Sequence, residues 1–321
     1  MILAAAVLGG LALLLAWPVP IILAGAGWPS RAPGVALVLW QSIALAGGLS
    51  MIGSLLCFGL IPFGATLPLG INSLARHFAD GSLPAGTAFI QVLALCAALI
   101  LGAHLVLNLA ETYVQAERQR RRHHHLIGLL SEPMPDRPGM RVIDHAAPVA
   151  YCLPGAPRSA TVLSAGLLRL LDGEQLRAVI LHEQTHLRQQ HHLVLLAFRS
   201  WHSALPWFPT ASLARDAVAL LVEMLADDRA RRLVDDRTLA TAIALVGSVQ
   251  GGPAPVDPAR HDGLANDAAA STEPGHPVEL VMPRVRRLVE PQPPLSAAAC
   301  VAAIAAAVAL LAVPTLLLLR A

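Results

Sequence analysis

The sequence predicts a mainly α membrane protein with four transmembrane helices and an α+β domain inserted between the third and the fourth. Two patterns carry that prediction: four long apolar runs, and one long polar stretch from about Arg118 to Pro294. The composition agrees, because 321 residues with 55% hydrophobic and only 14% charged are wrong for a wholly soluble chain.

The first run starts at Ile2 and continues past Trp17 to about Ala26. It lacks the basic start and small-residue cleavage site of a signal peptide, so it reads as a retained span. Runs from Val35 to about Ile61, from Ala88 to Ala110 and from Ala297 to Leu319 each reach the roughly 20 residues that crossing a bilayer needs. Ala46, Ser50 and Ser54 lie four apart on the second run and suit close helix packing. His104 and Asn108 share a face of the third and are expected to bond to a neighbouring helix. Arg118, Arg120, Arg121 and Arg122 follow the third run, and Arg284, Arg286 and Arg287 precede the fourth. By the excess of basic residues in retained loops, with Arg31 in agreement, the insert is cytoplasmic and the loop from about Ala65 to Gly86 faces outward. Abundant Ala, and Arg without Lys, read as the codon bias of a GC-rich bacterial genome rather than as chemistry, and the four apolar runs make the expected location a membrane crossed several times.

Within the insert, residues 148–153 and 160–164 are β-prone and flank Pro154-Gly155-Ala156-Pro157, the pattern of a hairpin. From Asp172 the period becomes helical, with Leu176, Val179, Ile180, Glu183, His186 and Leu187 at three- and four-residue spacing. Leu187 to Leu195 reads as a continuation of that helix. A second helix is expected from about Leu213 to Leu233, after the break at Pro206 to Pro209. Gly251 to Pro277 is too poor in core-forming residues for more than a loop. The expected domains are therefore 1–113 (three spans), 114–294 (the insert) and 295–321 (the closing span).

Several function classes fall away. A net charge of +2 gives no electrostatic footprint for nucleic acid, so direct nucleic-acid binding is not expected. Cys57, Cys96 and Cys300 fall in apolar runs and only Cys152 in the insert, which excludes a disulfide framework or a multi-Cys metal cage. His123-His124-His125 reads as part of a basic segment beside the membrane.

The chemistry concentrates in His182-Glu183-Gln184-Thr185-His186. On a helix, residues four apart share a face, so both imidazoles reach one cation while Glu183 stands beside it to hold a water. Two imidazoles suit Zn2+, and a catalytic zinc takes three protein ligands and keeps one position for water. His192 stands six residues beyond His186, but an uninterrupted helix turns it away. Glu223 is the better third ligand, because Glu223 and Asp227 are four apart on the second helix. One can bind metal while the other orients a ligand histidine through its second ring nitrogen. Asp228, Asp235 and Asp236 read as surface charges paired with Arg229, Arg231, Arg232 and Arg237.

This layout resembles the bacterial membrane metallopeptidases typified by the BlaR/MecR β-lactam signal transducers. The resemblance runs from three leading spans through Tyr151-Cys152-Leu153-Pro154-Gly155, Val162-Leu163-Ser164-Ala165-Gly166-Leu167, the histidine helix and Glu223-Met224-Leu225-Ala226-Asp227-Asp228-Arg229-Ala230 to a closing span. It implies a gluzincin-like peptidase domain with His182, His186 and Glu223 on zinc, Glu183 as general base and Asp227 orienting a ligand. A peptide or protein substrate in the cytosol or beside the lipid bilayer follows, either a transcriptional repressor or the protein itself. The transducers' C-terminal penicillin-binding sensor is expected to be lacking from a chain that stops at Ala321. Two other readings share the metal motif: a quality-control protease of the Ste/Htp type, which predicts further spans between the histidine helix and Glu223, and a non-catalytic transducer with a structural metal.

Overall fold

The computed structural model describes residues 1–134, 139–153, 159–206, 208–250 and 277–321. The turn at 154–157 and nearly all of the loop expected at 251–277 lie outside the described residues. The elements are α1 (Ile2–Ala16), α2 (Pro18–Gly25), α3 (Pro33–Gly59), α4 (Leu67–Ala79), α5 (Phe89–Leu130), β1 (Ser131–Pro133), β2 (Met140–Ile143), β3 (Ala150–Leu153) and β4 (Ala160–Ser164). They continue with α6 (Ala165–Leu170), α7 (Gly173–Arg188), α8 (His191–Ala204), α9 (Pro209–Ala230), α10 (Asp236–Gln250), α11 (Pro277–Val289) and α12 (Ala297–Arg320). Two compact units result: Met1–Ala110 with Ser200–Ala214 and Leu295–Ala321, and Glu111–Arg199 with Arg215–Pro294.

In the first unit, four helical stretches are long and apolar enough to cross a membrane: Ile2–Gly25, Pro33–Gly59, the start of Phe89–Leu130, and Ala297–Arg320. Small residues let them approach. A Cβ added at Gly53 would sit 2.9 Å from Leu318 and 3.3 Å from Leu8, which brings α1, α3 and α12 together. Ser54 Oγ donates to the Ala5 carbonyl at 2.8 Å, and Ala46 and Ser50 are fully buried. Asn108 Nδ2 donates to the Ser200 carbonyl at 2.6 Å and to Ser203 Oγ at 2.9 Å, and His104 Nε2 lies 3.1 Å from the Ala204 carbonyl. The two polar residues of the third run do bond to a neighbouring helix, the end of α8. The expected outward loop instead holds the amphipathic helix α4. The third helix does not stop near Ala110; α5 runs on to Leu130, so Arg118 to Arg122 lie on a helix rather than in a linker.

In the second unit, a four-stranded sheet has the order β1-β2-β4-β3. The expected hairpin forms, with Ala150 opposite Leu163 and Leu153 opposite Ala160 in antiparallel register. β2 runs parallel to β4, and β1 antiparallel to β2. Neither β1 nor β2 is long enough to show a period in the sequence. One core joins Leu163, Leu167 and Ile180 to Ala242. A second joins Ala178 and Ala230 to Leu239, Ile243 and Leu288. Both use α10, which together with α11 extends the insert beyond the two long helices expected. A Cβ at Gly247 would meet Val281 at 2.7 Å, so α10 and α11 pack unusually close. That contact positions α11 for the site.

The expected continuous helix through Leu195 is a further correction. α7 stops at Arg188 and α8 starts at His191, because Gln190 adopts a left-handed φ of 51° that ends the helical ladder.

Candidate metal centre

α7 starts at a capping box, in which Asp172 Oδ1 accepts from the Gln175 amide at 2.8 Å and Gln175 Oε1 from the Asp172 amide at 3.1 Å. The buried stripe Ala178, Ile180, His182 and Thr185 fixes its rotation against the core. His182 and His186, one turn apart on that helix, then point the same way. α9 approaches with Val218, Leu221 and Val222 buried, and presents Glu223 and Asp227 to the histidines.

His182 Nε2 and His186 Nε2 are 3.1 Å apart, Glu223 Oε2 is 3.2 Å from the first, and Glu223 Oε1 is 3.3 Å from the second. Donor atoms bound to zinc at about 2.0–2.1 Å in a tetrahedron are separated by about 3.3 Å. The two imidazole nitrogens stand near that spacing, each histidine faces one Glu223 oxygen at a similar distance, and among the described residues these three side chains form a group that could hold a metal ion. Asp227 is almost fully buried, with Oδ1 2.9 Å from His182 Nδ1, so it accepts from the ring nitrogen that faces away from the cluster. His192 does not join the cluster.

The sequence reading missed Arg284. Its guanidinium donates through Nε and Nη2 to both oxygens of Asp227 at 2.8 Å, and through Nη1 to Glu223 Oε2 at 2.8 Å. Arg284 reads in the sequence as one of three basic residues flanking the last span, yet it follows Val281 by three positions and precedes Leu288 by four. It thus stands on the apolar stripe that packs into the core. An arginine on such a stripe signals a buried partner. Arg287 is also engaged internally, donating to Asp228 Oδ2 at 2.9 Å, and only Arg286 remains exposed, beside Glu290. Asp228 therefore pairs with Arg287 of α11, while Arg231 reaches Asp236.

Burial of this much charge is tolerated because each group has a partner. Burial opposes protonation of His182, but the hydrogen bonds to Asp227 and Glu223 outweigh it and raise its pKa to about 10. Burial lowers His186 to about 3, so of the two imidazoles His182 holds a second proton more readily. Asp227 resists burial through Arg284 and stays ionised, with its pKa down to about 2. Glu183 goes the other way: burial, reinforced by the Glu223 charge, raises it to about 7, against the pull of His182, Arg284 and a hydrogen bond from the Cys152 backbone. A carboxyl in that range can take and return a proton near neutrality.

Two histidines one turn apart on a helix, a carboxylate from a second helix and a proton-carrying glutamate beside them form an arrangement that metal-dependent peptidases also use. Residues 114–250 match the model of Peptidase family M48, which covers both of these helices. No curated protein and no solved structure gives a significant match. The matched stretch is similar to metallopeptidases that are generally zinc-dependent. It ends before α11, so Arg284 lies outside it.

Proposed function

We propose that this protein is an integral membrane zinc metalloendopeptidase that hydrolyses a peptide bond in a cytosolic or membrane-proximal protein. The observation that carries the proposal is the spacing of 3.1–3.3 Å among the donor atoms of His182, His186 and Glu223, with Glu183 on the same helix. His182, His186 and Glu223 would hold the metal, which when bound supplies a Lewis acid for the scissile carbonyl and acidifies a water. Glu183 takes the proton of that water and returns it to the departing amine. Asp227 holds the His182 ring in place, and Arg284 is the counter-charge shared by Asp227 and Glu223. β3 is an edge strand of the sheet and its Cys152 backbone bonds to Glu183, so an extended substrate strand aligned on it would lie beside the general base.

Glu183→Gln is expected to keep zinc and to lose cleavage of peptide substrates by at least about 100-fold. Zinc analysis of the purified protein, together with a comparison of peptide fragments in cells, measures both. Undiminished cleavage by zinc-loaded Glu183→Gln would refute Glu183 as the general base.

The substrate reading has two versions. The motifs shared with BlaR/MecR transducers favour signalling through cleavage of a repressor or of the protein itself, with Arg118 to Arg122 favouring a cytoplasmic domain at a bacterial membrane. A Ste/Htp-type quality-control protease shares the metal motifs, but the span it predicts between the histidines and Glu223 is not among the helices of membrane-crossing length in the described residues. A structural metal in a non-catalytic transducer calls for a fourth protein ligand. Asp228 is held by Arg287, and His191 faces the far nitrogen of His186, so neither supports it.

A further inference from the structure

The two ligand histidines are oriented by different partners. His182 Nδ1 meets the carboxylate of Asp227, whereas His186 Nδ1 lies 3.2 Å from Nδ1 of His191, a residue only 2% exposed. His191 Nε2 in turn lies 2.8 Å from Gln189 Oε1. An amide oxygen only accepts, so His191 carries its proton on Nε2 and presents a lone pair at Nδ1. That lone pair accepts Nδ1–H of His186, which leaves the Nε2 lone pair of His186 directed at His182 and Glu223. The proton positions along Gln189, His191 and His186 are thus fixed in one direction.

The geometry points to His191 as a positioning residue for the metal centre, fixing the ring orientation and tautomer of His186 through a neutral relay anchored on Gln189. This rests on the zinc reading above. The relay exists because α7 breaks. On a continuous helix, a residue five positions after His186 is rotated by about 140° and faces elsewhere. The left-handed Gln190 turns the chain back, so that His191 packs edge-on against His186 with ring centroids 4.9 Å apart. The hydrogen bonds of His191 run to His186 Nδ1 and to Gln189, so it meets the donor cluster through the far nitrogen of His186. The site then has one ligand backed by an anion and one backed by a neutral group, which makes His186 the less basic of the two.

The test uses the full-length protein in detergent, with zinc affinity measured by competition against a chelator and folding of the metal-free form followed by circular dichroism. His191→Phe fills the space without an acceptor and is expected to weaken zinc binding by about 10–100-fold. His191→Asn places an amide oxygen where Nδ1 stood and is expected to recover most of that loss, which a purely space-filling role would not produce. Gln189→Glu gives the relay an anionic end and is expected to tighten zinc binding. Wild-type affinity in His191→Phe, or an Asn variant as weak as Phe, overturns the relay. His182→Ala separates the two readings. Zinc lost in His182→Ala but held at wild-type strength by His191→Phe refutes the relay alone, and zinc binding that ignores both refutes the metal centre as well.

Discussion

In the unit built around α1, α3 and α12, neutral polar side chains reach main-chain carbonyls: Ser54 that of Ala5, Ser42 that of Val38, and Asn108 that of Ser200. In the unit carrying the candidate metal centre, the interior instead holds opposite charges against one another, with Arg284 shared by Asp227 and Glu223 and His182 between the same two carboxylates. The contrast follows from what each unit needs. A helix among apolar neighbours has its backbone bonds satisfied internally, so a hydroxyl or amide that finds a carbonyl costs little and adds little. A site built to hold a divalent cation must gather acceptors and negative charge, and that charge is stable only with a counter-charge of its own.

Removing one partner from the charged cluster should therefore have the largest effect. Asp227→Ala leaves the Arg284 guanidinium buried against Glu223 alone and is expected to cost about 3–5 kcal/mol in unfolding of that unit, along with zinc affinity. The double change Asp227→Ala with Arg284→Leu should recover part of this. Denaturant unfolding of both variants checks the sign, and a loss below about 1 kcal/mol for the single variant would mean that the cluster is not held by charge pairing. In the apolar unit, Asn108→Ala is expected to cost only about 0.6–1.7 kcal/mol, as for other polar contacts between membrane helices. A loss as large as that of Asp227→Ala would erase the contrast. The smallest effect is expected at the helix break, where Gln190→Gly relieves a left-handed residue and should stabilise by about 0.5–1 kcal/mol while leaving zinc affinity unchanged. A thermal shift in the opposite direction would show that the turn is not under strain.

Much of this protein was legible before folding because the relevant signals are local. The membrane-length helices announce themselves by length and apolarity, the β3–β4 hairpin by its β-prone runs, and the candidate donor set by four-residue spacing on two helices, which brought Glu223 and Asp227 into view as a pair. Where the sequence reading went astray, the deciding contact was long-range or fell at a single backbone angle. Arg287 and Arg284 looked like flanking charges of a membrane helix, but two acidic residues from α9 claim them. α5 runs past the end expected for it because apolarity ends near Ala110, while the helix itself continues into polar sequence.

The sequence by itself determined the number of membrane-length helices, the chemistry of the motif and the identity of three converging donors, since each depends on spacing within one helix or on composition. Only the tertiary structure decided how those donors are held. Arg284 and His191 reach the cluster from a third helix and from the far side of a turn, and no periodicity in the chain encodes those meetings. The turn itself rests on the φ of one glutamine, a preference too weak to read from a side chain that occupies helices readily.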